Sequence, residues 1–255
     1  MKQLLKNLLA RELPGLLRRF TPERRVEIMR AAISDANFVQ ALGAQQAREM
    51  LVACARQTGL TGLLADGALG VMAGLAGDEN VHRVYFASRD WTPSLRKLFQ
   101  RALAGGGSYV DVGANIGLTV IPMARLPGVR CIALEPEPTN FRFLRANAVF
   151  NDVDACIEFH NAAAMSQAGE LVMSISAWNS GDNRVEAALA EGQPIGSINS
   201  DGKPLVRVKG MRLDDILDGC PLQRPLVCKV DTQGAEVDVL KGAAALLPKI
   251  DLLAI

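Results

Sequence analysis

From Ser108 onward the chain alternates between short apolar segments and segments with helical periodicity. Five of the apolar segments have the length of buried strands: SYVDV, VRCIAL, CIEFHN, PLVCKV and IDLLAI. Helical patterns follow the first, second and fourth of them, over residues 118–126, 139–151 and 235–247. Strands that are apolar throughout are covered on both faces, and strands that alternate with helices pair in parallel. The sequence therefore predicts an α/β fold with a doubly wound, Rossmann-like parallel sheet.

The first predicted strand ends in a glycine-containing turn, DVGANIG, which runs from Asp111 to Gly117. Gly113 and Gly117 permit a tight turn and a close approach to a ligand, at the sheet edge where such folds bind ligands. A carboxylate at Asp111 would repel the pyrophosphate that a helix N-terminus otherwise attracts. It would attract a cation such as the amino group of an amino acid. The turn therefore favours S-adenosylmethionine over NAD, the alternative being a turn that only connects strand and helix.

The second predicted strand ends in ALEPE, which places Glu135 and Pro136 at the same edge of the sheet. A carboxylate at this position can accept hydrogen bonds from both hydroxyls of a ribose. NAD and S-adenosylmethionine both contain a ribose, so Glu135 predicts a nucleoside cofactor without separating the two. The alternative for Glu135 is a solvated loop carboxylate.

The fourth predicted strand ends in LVCKVDTQGAE, which brings Asp231 to the ligand-binding edge. Lys229 lies two residues earlier, on the same face of a strand that is otherwise apolar. Because a lysine in a buried strand needs a partner or a ligand, Lys229 is expected to have one or the other.

Together these three motifs closely resemble those of the FkbM-type methyltransferases, in order and spacing, across roughly residues 108–255. The resemblance implies a class I methyltransferase fold and O-methylation of a hydroxyl on a sugar, glycolipid or natural product. It also implies a cofactor site for S-adenosylmethionine. The residues that the resemblance assigns to that site are Asp111, Gly113, Ala114, Asn115, Gly117, Glu135, Pro136, Asn161 and Ala162.

Two features depart from the family pattern. The family often has a glutamate where this chain has Gln233, and a neutral amide cannot act as a general base. The family fold also continues beyond the fifth strand with a helix and an antiparallel hairpin. The sequence stops at Ile255 inside that strand, so we expect those elements to be absent from this chain.

Asp231 is the predicted general base, with Lys229 holding its charge or orientation. A hydroxyl is a weak nucleophile, so a base must take its proton during methyl transfer. His160 lies in a predicted strand and is expected to be structural. A divalent cation bound by Asp231, Asp182 and Asn183 is an alternative that we do not favour. The polar stretch of residues 178–203 is predicted to be a substrate lid or solvated surface.

The first 104 residues are predicted to form a mainly helical module and linker, and residues 105–255 the cofactor-binding domain. An extended piece is predicted over residues 81–86 and a helix over 93–103. Residues 2–19 have the pattern of a basic amphipathic helix, for which docking within the protein is favoured over contact with a membrane surface. A homodimer is an open possibility.

The chain carries 28 lysines and arginines against 27 aspartates and glutamates. This near balance gives no indication of a nucleic-acid partner, and none is expected. None of its cysteines forms a CxxC pair, which predicts reduced thiols and a cytoplasmic protein. Three are predicted to pack in strands: Cys131, Cys156 and Cys228. Two other functions stay open, an NAD-dependent oxidoreductase and a non-catalytic binding module. The expected partner is a small-molecule or glycan acceptor.

Overall fold

The computed structural model describes residues 62–75, 77–186, 198–199 and 201–255. The predicted amphipathic helix of residues 2–19 and Cys54 lie outside the described residues. The strands are β1 (Gly62–Gly67), β2 (Gly70–Leu75), β3 (Gly107–Val112), β4 (Val129–Leu134), β5 (Ile157–His160), β6 (Ala163–Ala164), β7 (Gly169–Ser174), β8 (Arg184–Val185), β9 (Leu205–Met211), β10 (Leu226–Val230) and β11 (Leu252–Ala254). The α-helices are α1 (Val81–Ser88), α2 (Pro93–Ala102), α3 (Val120–Ala124), α4 (Pro138–Phe150), α5 (Leu213–Ile216) and α6 (Glu236–Lys241).

The main sheet has five parallel strands in the order β11-β10-β3-β4-β5. All five strands predicted from the sequence are present, and they pair in parallel as expected. The chain proceeds outward from β3 through β4 to β5 and then returns to the other side of β3 as β10. The strand order therefore reverses between β3 and β10, which is where doubly wound sheets bind ligands.

The two faces of the main sheet belong to two hydrophobic cores. Tyr109, Cys131 and Val227 face one core, which also contains residues of β1, β2 and helices α1 to α4. Val110 and Cys228, on alternate positions of the same strands, face the other core with α5 and α6. The prediction of a doubly wound α/β sheet is confirmed.

Residues 62–88 differ from their predicted structure, whereas the helix predicted over residues 93–103 is present as α2. Residues 62–75 form an antiparallel hairpin, β1–β2, within the stretch predicted to be mainly helical. The extended piece predicted over residues 81–86 is wrong, because those residues lie in α1. Asp78 explains the helix: its carboxylate accepts hydrogen bonds from the backbone N–H groups of Asn80, Val81 and His82. Because this segment shares a core with the sheet, the domain boundary near Gly105 stays a prediction.

Other local details also differ. The helix predicted over residues 235–247 ends at Lys241. The next residue, Gly242, packs closely on the Met165 carbonyl oxygen, which a Cβ at that position would approach to 1.9 Å. Cys156 is exposed, so its predicted burial is wrong; it precedes β5 in a short 3₁₀ turn. A second sheet, in the order β6-β9-β7-β8, was not predicted. Among the described residues, no helix is both long enough and apolar enough to cross a membrane.

Two asparagines, Asn147 on α4 and Asn151 directly after it, hold the hairpin against the domain. Asn147 accepts a hydrogen bond from Ala73 N at 2.6 Å and donates to the carbonyl oxygens of Ala73 and Ile116 at 2.9 and 2.8 Å. Asn151 binds the N–H and the carbonyl of Val71 in the same manner, at 3.0 and 2.7 Å. The two amide side chains therefore take the place of a neighbouring strand along β2.

We expect Asn147→Ala to lower the free energy of unfolding by about 2–4 kcal/mol, because three buried backbone groups lose their partner. Urea denaturation followed by circular dichroism measures the change. Arg145→Ala, an exposed change on the same helix, is the control and should stay within about 0.5 kcal/mol of the unchanged protein. Equal effects of the two substitutions would contradict this role of Asn147.

Candidate functional site

A cavity of about 300 Å³ opens at the carboxyl edge of the main sheet, at the reversal between β3 and β10. The predicted site residues that line it are Gly113, Ala114, Asn115, Glu135, Pro136, Ala162, Lys229 and Asp231. The second sheet contributes a wall through Ala163, Met173 and Val185. The structure thus brings residues from all three sequence motifs to one cavity.

The glycine turn of residues 113–117 already uses its own N–H groups inside the protein. Gly113 N and Ala114 N both donate to the Leu134 carbonyl, at 3.0 and 2.9 Å. Asn115 N donates to the Glu135 carboxylate, and Ile116 N donates to the Asn115 side chain, each at 2.8 Å. Gly117 N closes the turn on the Ala114 carbonyl at 2.9 Å. The turn therefore presents no free row of N–H groups to a phosphate.

Close packing explains both glycines of the turn. Gly113 has a φ of +78°, and a Cβ there would lie 2.0 Å from the Asp231 carbonyl oxygen. Gly117 has a φ of +99° and lies outside the cavity lining, between Ile121 and Leu144. A Cβ at Gly117 would approach those side chains to 2.8 and 2.9 Å. Gly113 thus allows the ends of β3 and β10 to meet, whereas Gly117 allows the turn to pack on the following helices.

Glu135 is held in a fixed orientation in the cavity wall. One carboxylate oxygen accepts from Asn115 N at 2.8 Å, and the other accepts from Glu137 N at 2.9 Å. Burial raises the pKa of Glu135 to about 7, although these two hydrogen bonds oppose the shift. Each oxygen keeps a lone pair for a further donor, such as a ribose hydroxyl.

Asp111 lies beneath the cavity and does not line it. Its carboxylate is fully buried, receives a hydrogen bond from the Thr119 hydroxyl, and lies 3.1 Å from the ammonium of Lys229. Burial raises the pKa of Asp111, and the charge of Lys229 opposes that shift. Burial lowers the pKa of Lys229, but the facing carboxylates of Asp111 and Asp231 hold it above its ordinary value. Asp111 and Lys229 are therefore a buried ion pair, and the Asp111 carboxylate is not free to meet a cation in the cavity.

Of the two carboxylates that face Lys229, Asp231 lines the cavity and Asp111 does not. The side chain of Asp231 is 54% exposed, with one oxygen 3.7 Å from Lys229 Nζ. The other oxygen accepts a hydrogen bond from Gln233 Nε2 at 2.8 Å. Gln233, at the position where the family often has glutamate, thus acts as a donor that orients Asp231. Lys229 completes its contacts by donating to the Gly113 carbonyl at 3.1 Å.

Asn161 and His160, which the sequence analysis considered as site residues, both lie outside the cavity lining. Asn161 lies outside the cavity lining and donates to the carbonyl oxygens of Glu135 and Pro136, at 2.8 and 3.0 Å, so it fixes the loop that carries both. His160 interacts with Glu158 at 3.0 Å and does not line the cavity.

The possible metal ligands are engaged with other groups. Asp182 forms ion pairs with Arg184 and Lys203, at 2.7 and 3.1 Å. Asn183 lines the cavity, but its side-chain oxygen accepts from Ser176 N at 2.9 Å. Within the described parts of the chain, no group of three or more His, Cys, Asp or Glu residues could hold a metal ion. Asp182 and Asn183 therefore do not converge with Asp231 on one cation in this structure.

Several cavity residues escaped the sequence analysis, among them Asn80, Val81, Trp91 and Met173. Asn179, Ser180 and Gly181 lie within the stretch of residues 178–203 predicted to be a substrate lid or solvated surface, and Thr232 lies in the third motif. Asn80, Val81 and Trp91 precede the predicted cofactor domain, and Met173 belongs to none of the motifs identified in the sequence. A local signal existed only for the segment around Val81, where Asp78 is a helix cap followed by Val81 and Tyr85 on one helical face. Their contribution to the cavity comes from long-range packing.

Comparisons with known proteins match the part of the chain that contains the three motifs. Residues 111–253 match the family described as the Methyltransferase FkbM domain. Methyltransferase sdnD of Sordaria araneosa is 32% identical over 152 residues, which cover 52% of this chain and 59% of that protein. Methyltransferase 1 of Beauveria bassiana is 29% identical over 143 residues, covering 52% and 57%. The match thus spans under two thirds of either relative's length.

Solved structures give only partial superpositions. The O-methyltransferase from Bacillus cereus in complex with SAH is 23% identical, covers 32% of this chain and 41% of that chain, and has a TM-score of 0.27. The putative transferase PH0793 from Pyrococcus horikoshii is 15% identical over 64% of each chain, with a TM-score of 0.35. The family assignment rests instead on the matched region, which covers more than half of the sequence and contains the cavity motifs. This chain belongs to the FkbM methyltransferase family.

Proposed function

We propose that the chain is an S-adenosylmethionine-dependent methyltransferase that methylates a hydroxyl group of a neutral sugar, glycolipid or natural product. The observation that carries the cofactor assignment is the glycine turn, whose N–H groups are used internally while the Glu135 carboxylate faces the cavity. A dinucleotide needs free N–H groups for its pyrophosphate. A nucleoside without phosphate needs only the ribose contact that Glu135 offers.

The residues around the cavity fit such a cofactor. Glu135 would hold the ribose hydroxyls, and Pro136 and Ala162 would border the adenine. Gly113, Ala114 and Asn115 would border the amino-acid part, next to Asp231. Of the described lining residues, those with charged side chains are Glu135, Lys229 and Asp231. The carboxylates of Glu135 and Asp231 outnumber the ammonium of Lys229, which is already paired with Asp111. This excess of negative charge suits a cofactor that carries a net positive charge.

When bound, the cofactor supplies an electrophilic methyl group on a sulfonium. The task of the chain is then to position a hydroxyl and to accept its proton. Asp231 is suited to that task because its carboxylate is exposed to the cavity and oriented by Gln233 and Lys229. Lys229 is itself unsuited to act as a base, since Asp111 and Asp231 keep it protonated. The lining contributes apolar side chains from Trp91, Met173 and Val185, which suits an acceptor without charge.

Isothermal titration calorimetry tests the proposal with S-adenosylhomocysteine, the demethylated product, and NAD as separate probes. We expect S-adenosylhomocysteine to bind with a dissociation constant on the order of 1–100 μM and NAD to show no binding in the same range. Glu135→Ala should weaken S-adenosylhomocysteine at least tenfold, because hydrogen bonds to a charged acceptor are lost. NAD binding alone would replace the methyltransferase assignment with an oxidoreductase. Binding of neither probe would favour a non-catalytic module.

The affinity for S-adenosylhomocysteine should depend on pH near neutrality. Glu135 has a pKa of about 7 in the free protein, and its ionised form accepts the ribose hydroxyls better. The carboxylate is ionised above that pKa, so affinity should be full at high pH and decline as the pH falls through it. The decline should approach about tenfold per pH unit when only the ionised form binds. Titrations between about pH 8 and about pH 6 measure it, and a flat profile would contradict the role of Glu135.

A further inference from the structure

Ser180 connects two parts of the cavity wall that are far apart in the sequence. It lies in the loop of residues 178–183, which follows β7, and its side chain is buried. Asn179, Ser180, Gly181 and Asn183 of this loop line the cavity. We use the term Ser180 latch for Ser180 together with its three side-chain partners, Asp78, Asn115 and Asn140.

The first arm of the latch joins the loop to the turn before α1. The Ser180 hydroxyl donates to the Asp78 carboxylate, which is 4% exposed. The same carboxylate caps α1 and so fixes Asn80 and Val81, which line the cavity. A backbone hydrogen bond from Glu79 N to the Trp178 carbonyl oxygen, at 2.7 Å, also joins the loop to this turn. The loop is therefore attached to a segment that precedes residue 111, where the match to the family begins.

The second arm joins the loop to the ribose position. The Ser180 carbonyl accepts from Asn115 Nδ2 at 2.8 Å and from Asn140 Nδ2 at 3.2 Å. Asn115 also donates its backbone N–H to Glu135, at 2.8 Å. Asn115 has a φ of +51°, a left-handed conformation in which its side chain can reach the loop while its N–H faces Glu135. Asn115 thus contacts both the loop and the carboxylate that we assign to the ribose.

We propose that Ser180 is a positioning residue, which holds the loop of residues 178–183 closed over the cofactor and makes cofactor release depend on breaking the latch. The proposal rests on the proposed function, since it requires the cofactor to lie in this cavity. A loop held by buried hydrogen bonds opens rarely, so it slows escape of the ligand more than it slows the first encounter. Removing the hydroxyl leaves the Asp78 carboxylate without one of its donors and favours the open loop.

Stopped-flow kinetics with S-adenosylhomocysteine tests the proposal through the protein's own fluorescence, because Trp91 lines the cavity and Trp178 lies in the loop. We expect Ser180→Ala to raise the dissociation rate constant about tenfold and to change the association rate constant by less than about threefold. Ser180→Thr keeps a hydroxyl and should restore slow dissociation. Ser174→Ala is the matched control, since it removes another buried hydroxyl, on β7, that does not line the cavity.

Hydrogen exchange of the unchanged protein provides a second measurement that needs no variant. Saturation with S-adenosylhomocysteine should slow the exchange of amides in residues 178–183 at least about fivefold, because the closed loop is stabilised by the ligand beneath it. Exchange that is unaffected by the ligand would overturn the proposal, as would a Ser180→Ala dissociation rate within about twofold of the unchanged protein. Failure of the unchanged protein to bind S-adenosylhomocysteine at all would overturn the proposed function and this inference together.

Discussion

Replacing Lys229 with methionine is expected to lower the free energy of unfolding by about 3–5 kcal/mol. Lys229 is the cationic partner of Asp111, a residue of β3 whose carboxylate is fully buried and does not line the cavity. Without the ammonium, Asp111 must either keep an uncompensated charge in the core or take up a proton. Either change destabilises the folded state. Urea denaturation at about pH 8 measures the effect, because at that pH Asp111 is ionised in the unfolded chain and the folded state bears the full cost of protonating or burying it.

A double substitution separates loss of the ion pair from loss of packing. Asp111→Asn together with Lys229→Met removes both charges while the asparagine oxygen can still accept from the Thr119 hydroxyl. We expect this variant to regain at least about 2 kcal/mol relative to Lys229→Met alone, since removal of both partners costs less than removal of one. Lys209→Met, an exposed change on β9, is the control. Strict additivity of the two single effects would contradict a coupled pair.

Replacing Asp231 with asparagine is expected to lower the rate of methyl transfer by about 10²–10⁴-fold, because general-base catalysis contributes that much. Asparagine preserves the shape and can still interact with Gln233, so the affinity for S-adenosylhomocysteine should change by less than about threefold. The measurement follows labelled methyl groups from S-adenosylmethionine onto a panel of neutral hydroxylated acceptors. A separate calorimetric titration gives the affinity.

Asp215→Asn is the control for this change, since Asp215 is an exposed carboxylate that does not line the cavity. Its methyl-transfer rate should equal that of the unchanged protein. Full turnover by Asp231→Asn would remove Asp231 from the mechanism. A large loss of S-adenosylhomocysteine affinity would instead make Asp231 a binding residue for the ammonium group of the cofactor.

Asp111 shows how a sequence motif can place a residue correctly while the fold decides its partner: the motif suggested a cationic amino group of the cofactor, and the structure pairs the carboxylate with Lys229. The motif predicts Asp111 at the carboxyl end of β3, and the structure has it there. Its partner could not be read from the motif, because parallel pairing between β3 and β10 sets Asp111 opposite Lys229 across 118 residues of chain. That pairing directs the carboxylate to the lysine and leaves Asp231 as the accessible acid.

The hairpin and α1 show the converse, where local sequence favoured another structure. Residues 81–86 contain valine, tyrosine and phenylalanine, which favour a strand. The cap by Asp78 and burial of Tyr85 and Phe86 against the main core select a helix instead. Tertiary packing overrides intrinsic preference when one face of a short segment is fully buried.

The sequence by itself determined the doubly wound sheet, the order of its motifs and the glycine turn. Hydrophobic periodicity and the need for positive φ are local properties, and they are visible within a few residues. Only the tertiary structure decided that Asp111 forms an ion pair with Lys229 and that the second sheet lines the cavity. It also decided that Ser180 connects Asp78 to Asn115. Those contacts depend on strand register and on loops that meet across the carboxyl edge of the sheet, and residue spacing along the chain does not encode them.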